Sequence, residues 1–261
     1  MGRIICVGNP KGGVGKTTTT LSLGAAFALA EKKTLLLDLD PQGHMSSGMG
    51  IDKKKIKRCI YDVFRNEAEI SDLILDCEID FLKIIPSHSK HNCKISHENH
   101  EKENLLKDLL KCQKENYDYI LIDCPPSIEF LTLSAMNASD SILIPLQCEY
   151  YAVESLGWLL KTYRSLKKYL NPDIVIEGIL LTMVDENEEV TIQIANETRK
   201  NFNEIVFKTV IPRSQDLRES ACYRMPILFQ DITCKGAQSY LSLAREIIGR
   251  NGSFYSKGVS Q

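Results

Sequence analysis

The segment Gly8-Asn9-Pro10-Lys11-Gly12-Gly13-Val14-Gly15-Lys16-Thr17-Thr18 constrains this chain more than any other stretch. An apolar run, Ile4–Val7, leads into it, and a helical period from Lys16 to Glu31 leads out. Strand, glycine-rich turn and helix, in that order, build a cradle for phosphate. Gly12, Gly13 and Gly15 carry no Cβ, so backbone N–H groups can turn inward around an anion. The helix N-terminus adds its partial positive charge. Lys16 is placed to reach β- and γ-phosphates, the Thr17 hydroxyl to bind Mg²⁺, and Thr18 to reach an α-phosphate. The usual spacing of this motif puts glycine at position 10, where Pro10 stands. Lys11 is the second departure. A lysine at the start of such a loop is a poor structural filler, but it makes sense as a cation set against phosphate charge, including across a dimer interface.

The rest of the 261 residues alternates short apolar runs with helical periods, which argues for a parallel sheet covered by helices. Thr34–Leu37, Phe81–Ile85, Tyr119–Ile122, Ser141–Pro145, Ile174–Leu181 and Val206–Ile211 read as further strands. Leu105, Leu106, Leu109 and Leu110 repeat at helical spacing, as do Leu156, Leu159, Leu160, Tyr163, Leu166 and Leu170. A last helix spans about Gly236 to Ile248. Nothing resembling a linker interrupts the pattern, so residues 1–250 are expected to form one α/β domain, a P-loop NTPase with a mostly parallel central sheet and helices on both faces. Residues 251–261 form a polar tail. Hydrophobic residues at 43% and charged residues at 25% exclude a mostly disordered chain.

Two acidic segments end strands. Leu35-Leu36-Leu37-Asp38-Leu39-Asp40-Pro41-Gln42-Gly43 closes the second, and Tyr119-Ile120-Leu121-Ile122-Asp123-Cys124-Pro125-Pro126 the fourth. Ligands of open α/β sheets bind at the carboxyl ends of strands, so these segments and the glycine loop converge. Asp123 suits a carboxylate behind Mg²⁺. Asp40 suits orientation of an attacking water, and Asp38 the positioning of a Mg²⁺-bound water or a loop hydroxyl.

Charge and cysteine usage exclude other classes. The net charge of −2 by itself points to neither nucleic acid nor membrane. It is unevenly spread, however: residues 199–261 carry ten Lys/Arg against five Asp/Glu. Nine cysteines without a C-x-x-C pair read as reduced thiols of a cytosolic protein. His88, His91, Cys93, His97 and His100 have metal-ligand chemistry but no second cluster to complete a site, so a solvated loop or helix face is expected there. No apolar stretch approaches the ~20 residues needed to span a bilayer.

These motifs resemble those of the ParA/MinD ATPases. Lys11 to Thr18 looks like their deviant Walker A loop, Asp38 to Gly43 like switch I, and Asp123 to Pro126 like switch II. Gln147 to Ala152, Leu181 to Asp185 and Lys208 to Arg213 look like the Soj branch of ParA, the partition proteins of chromosomes and plasmids. The resemblance implies an ATP/ADP- and Mg²⁺-dependent ATPase with slow intrinsic turnover. ATP would drive a sandwich homodimer that binds double-stranded DNA without sequence preference, and a ParB-type centromere-binding partner would stimulate hydrolysis and release. It implies a cytoplasmic, nucleoid-associated protein with no stable membrane contact. By this match Lys11, Lys16 and Asp40 are catalytic. Gly12, Gly13, Val14, Gly15, Lys16, Thr17 and Thr18 hold phosphate, Thr182, Met183, Pro212 and Arg213 line the adenine pocket, and Thr17, Asp38 and Asp123 serve the metal. Arg213, Arg218, Arg224 and Lys200 are the candidate DNA contacts.

Some positions depart from the family pattern. His44 follows the switch I glycine where asparagine is common, Asn187 stands where Soj-like proteins tend to place an arginine, and Asp216 occupies a place often basic. A MinD-like membrane-cycling ATPase is the main alternative. It needs a basic amphipathic C-terminal helix, which Gly249 and Gly252 argue against. A metal-cluster carrier would need cysteines facing a dimer axis, and Cys124 reads instead as strand-end packing.

Overall fold

Seven strands form the central sheet of the computed structural model, which describes residues 2–88, 104–149, 152–202 and 204–250. They are β1 (Arg3–Val7), β2 (Thr34–Asp38), β3 (Leu75–Asp76), β4 (Leu82–Ile85), β5 (Tyr119–Asp123), β6 (Ser141–Gln147) and β7 (Val175–Thr182). Their order across the sheet is β3-β4-β2-β5-β1-β6-β7. Every pairing is parallel except β3 with β4. The antiparallel β3 has two exposed residues and closes one edge.

Strand periodicity divides the apolar residues between two cores. Ile4 and Cys6, Leu35 and Leu37, Ile120 and Ile122 face one way. Ile5 and Val7, Leu36, Tyr119 and Leu121 face the other. Both sets are buried, as a parallel sheet covered on two faces requires. On the first face lie α3 (Ile60–Phe64), α4 (Leu105–Gln113), α5 (Phe130–Ala138), α6 (Ala152–Tyr169) and α7 (Glu189–Phe202). On the second lie α1 (Lys16–Leu29), α2 (His44–Gly48), α9 (Ile227–Gln230) and α10 (Lys235–Arg250). The short α8 (Gln215–Glu219) follows α7 and continues into a 3₁₀ turn, Ser220–Tyr223.

Register sets the site. Val7 and Asp38 are both paired with Asp123, so β1, β2 and β5 end level with one another. The chain leaves all three strands at the same edge.

The expected strand Val206–Ile211 is corrected. Only isolated parallel bridges form there, Ile179 with Val206 and Val184 with Pro212. The intervening amides of Lys208 and Thr209 donate to the Glu246 carboxylate of α10 at 3.0 and 3.1 Å, which takes them out of the ladder. Helix α7 was not anticipated, because Val190 and Ile192 are exposed and blur its apolar stripe of Ile194 and Ala195. The first helix stops at Leu29, before the expected Glu31, which adopts a left-handed backbone with φ 55°. His91, Cys93, His97, His100 and the 251–261 tail lie outside the described residues. His88 is described and buried.

Phe207 is fully buried over Gly178 of β7, and the Arg250 guanidinium stacks on its ring at 4.3 Å. A Cβ at position 178 would stand 2.5 Å from Phe207 Cε2, well inside contact distance. Gly178→Ala is therefore expected to destabilise the fold by about 1–3 kcal/mol through overpacking. Gly157 of α6 has open space around it, and Gly157→Ala should stabilise by about 0.5–1 kcal/mol through helix propensity. Urea midpoints of the two variants check the opposite signs.

Candidate active site

The loop between β1 and α1 is held from three sides. The Asn9 side chain donates to the Pro145 carbonyl at 2.8 Å and accepts from the Lys11 amide at 3.0 Å. Thr182 Oγ1 donates to the Val14 carbonyl at 2.9 Å, tying β7 to the loop. Gly13 and Gly15 take left-handed backbones, φ 76° and 91°, which explains why glycine stands at both. Gly15 is the residue before α1, so the loop amides and the helix N-terminus share one concavity.

Lys16 is buried at 7% exposure and donates to the Lys11 carbonyl at 2.7 Å. Burial lowers its pKa, against the opposing pull of Asp123, Cys124 and Asp40. Thr17 Oγ1 donates to Asp123 Oδ2 at 2.8 Å. The other oxygen, Asp123 Oδ1, is buried with no hydrogen-bond partner. Burial, with Asp38 beside it, holds Asp123 well above the usual carboxylate range. An unpartnered carboxylate oxygen in a closed site, next to a threonine hydroxyl, fits the hard oxygen chemistry of a hydrated Mg²⁺ ion.

Asp38 is fully buried and turned toward α2. Its Oδ2 accepts from the Ser46 amide at 2.9 Å and the Ser46 hydroxyl at 2.7 Å, and its Oδ1 accepts from the Asp40 amide at 3.1 Å. Burial pushes it up to about 6. The carboxylate read from the sequence as serving the metal is thus already engaged with switch I. Asp40 lines the cavity, and its Oδ1 accepts from the Gln42 amide at 2.8 Å. Lys11 lies off the cavity, in an ion pair with Glu149 just before α6.

A cavity of about 970 Å³ joins these parts. Gly12, Gly13, Gly15, Lys16, Thr17 and Thr18 line one end, and Thr182, Met183, Pro212 and Arg213 line the wall beyond. Met183 has a left-handed backbone, φ 54°, and the Arg213 amide donates to the Val184 carbonyl at 3.0 Å, so this wall is largely backbone. Val14 is buried beneath the loop. Sequence reading missed the far wall, Met225, Pro226, Ile227 and Tyr240, because no motif marks it.

Of the four candidate DNA contacts, Arg213, Arg218 and Arg224 are exposed and lie in the segment that carries α8 along the cavity rim. Lys200 is set apart, in the last turn of α7 on the other face of the sheet. Arg250, another cation of the basic C-terminal region, is committed to Glu246 and the Glu177 carbonyl. Asp216 sits in the first turn of α8, where a carboxylate favours the helix dipole, and Asn187 folds back onto Asp185. Cys124 packs against Cys6, with the sulfurs 3.2 Å apart.

Comparison with known proteins agrees with this geometry. A family model described as an AAA domain matches residues 2–176. The chain is 45% identical over 253 residues to the sporulation initiation inhibitor protein Soj of Bacillus subtilis, covering 95% of this chain and 98% of Soj. It is also 45% identical over 253 residues to the chromosome partitioning protein ParA of Myxococcus xanthus, covering 96% and 89%. Among solved structures, cobyrinic acid a,c-diamide synthase from Mycobacterium smegmatis with bound ATP analog and magnesium superposes with a TM-score of 0.83 at 28% identity, covering 97% of each chain. With a glycine loop, a buried lysine and Asp40 gathered on one cavity, the chain belongs to the Soj/ParA chromosome-partitioning family of P-loop ATPases.

Proposed function

We propose that this partition ATPase binds ATP with Mg²⁺ in the cavity above the β1–α1 loop and uses hydrolysis as a timer for DNA attachment. ATP-bound chains form a sandwich homodimer that holds duplex DNA without sequence preference. A ParB-type centromere-binding partner shortens the bound lifetime by stimulating hydrolysis, and the protein works in the cytoplasm on the nucleoid. The observation that carries this reading is a cradle for phosphate that shares one cavity with Asp40 and with the exposed Arg213 and Arg218, Arg224 being exposed in the same segment.

The roles follow from position. Loop amides and Lys16 would hold the β- and γ-phosphates, and Thr17 with Asp123 would hold the hydrated metal. Bound Mg²⁺ would supply charge neutralisation on the transferring phosphoryl group. Asp40 would orient the attacking water, and Thr182, Met183, Pro212 and Arg213 would shape the adenine pocket. Lys11 is tethered to Glu149 within the chain and would leave that carboxylate to meet a second subunit's phosphates.

Three outcomes test the cycle. Lys16→Ala should lose ATP binding, checked by equilibrium dialysis with labelled ATP. Sedimentation with ATP should show Asp40→Ala as a stable dimer and Lys11→Ala as a monomer; a monomeric Asp40→Ala or a dimeric Lys11→Ala contradicts the assigned roles. The third outcome concerns DNA. Three rim arginines per subunit give about six phosphate contacts per dimer, so the log–log salt slope should be roughly −5 and affinity should fall ~10³-fold between 50 and 200 mM salt. Arg218→Ala removes two contacts per dimer and should flatten the slope by about 2, while Lys200→Ala should leave it within about 1 of the parent. Fluorescence anisotropy with unrelated duplexes, ATP and the Asp40→Ala background reads these slopes. Binding that ignores ATP or salt would defeat the reading.

A further inference from the structure

Ser46 lies on α2, whose neighbours His44, Ser47 and Gly48 line the nucleotide cavity. Ser46 itself does not. It is 0% exposed, so its hydroxyl meets neither solvent nor ligand. The hydroxyl is nonetheless fully used. It donates to Asp38 Oδ2 at 2.7 Å and accepts from the Ser87 amide at 3.0 Å, where the chain leaves β4. Asp38 Oδ1 accepts from the Asp40 amide, and Asp40 Oδ1 accepts from the Gln42 amide. One continuous hydrogen-bonded path therefore runs from the end of β4 through Ser46 and Asp38 to the backbone of Asp40. Among the described residues, no other side chain donates to Asp38.

We propose that Ser46 is a positioning residue for ATP hydrolysis: it fixes the Asp38 carboxylate, which in turn fixes the backbone that carries Asp40. This rests on the reading of Asp40 as the group that orients the attacking water. Asp38 sits at the rigid end of β2, paired in register with Asp123, whereas the stretch from Pro41 to Gly43 has no strand to hold it. A buried carboxylate that accepts two hydrogen bonds from one serine on the same oxygen is anchored in position. It then presents Oδ1 to a single amide, that of Asp40. Without the hydroxyl, the carboxylate keeps only the Ser46 and Asp40 amides as donors and is held less firmly. The Ser87 amide also loses its acceptor. Ser46 does not line the nucleotide cavity and, among the described residues, makes no hydrogen bond to the phosphate cradle, so nucleotide affinity and hydrolysis rate should separate.

The test compares Ser46→Ala, Ser46→Thr and Asp40→Ala in the full-length chain. Ser46→Ala should bind ATP within about twofold of the parent and slow single-turnover hydrolysis about 10-fold, as expected for loss of one hydrogen bond to a charged group. Amide hydrogen exchange over residues 40–43 of the nucleotide-free protein should quicken about 10-fold by the same argument, with the β2 amides unchanged. Ser46→Thr keeps the hydroxyl and should restore both readouts. Combined with Asp40→Ala, the Ser46→Ala change should slow hydrolysis no further. A parental rate in Ser46→Ala alongside an inactive Asp40→Ala overturns the role of Ser46 alone. A parental rate in Asp40→Ala overturns the reading of Asp40 beneath it. Loss of ATP affinity in step with rate, or a Ser46→Thr variant that binds ATP but hydrolyses no faster than Ser46→Ala, reduces Ser46 to a structural part and sinks the proposal.

Discussion

Burying Lys16, Asp38 and Asp123 together at one edge of the sheet is the constraint on which the rest of the site depends. Charges removed from water must be paired or neutralised, or the fold bears several kcal/mol for each. Lys16 is met by the Lys11 carbonyl, Asp123 by Thr17, and Asp38 by Ser46 and the Asp40 amide. Each of these partners lies in a loop that leaves the sheet or at the start of the helix that follows it. Neutralising the charges and shaping the loops are therefore the same act, and the site cannot be loosened at one point without disturbing the others.

The pairing is left incomplete in one place. Asp123 Oδ1 has no partner, and Asp123 and Asp38 stand side by side with both carboxyls raised by burial. A buried acid with one oxygen unpartnered is well served by a cation. A divalent ion reverses the local balance by favouring the ionised forms.

Level strand ends bring the two loops together. β2 and β5 end at paired residues, Asp38 and Asp123, and the next residue, Leu39, donates its amide to the Asp123 carbonyl at 3.0 Å. The Tyr61 hydroxyl then holds the Leu39 carbonyl at 2.8 Å. The two loops are thus joined through two residues of backbone. Lys11 adds a route to α6, since its partner Glu149 accepts the Ala152 amide at the start of that helix.

The sequence alone determined the sheet strands β1, β2, β4, β5, β6 and β7 in outline, the phosphate loop, and the convergence of Asp38, Asp40 and Asp123. These are legible because they depend on local rules: two-residue periodicity, glycine where φ is positive, and carboxylates at strand ends. Tertiary structure decided what depends on partners distant in the chain. Val206 to Ile211 has the composition of a strand, yet its amides at Lys208 and Thr209 go to Glu246, 38 and 37 residues away. Asp38 reads as a group for the metal, but Ser46 and the Asp40 amide hold its oxygens. Lys200 shares the basic C-terminal region with Arg218 but packs on the other face of the sheet, because α7 buries Ile194 and Ala195 there. Hydrogen-bond competition and the side of the sheet that a helix covers are settled only when the whole chain is packed.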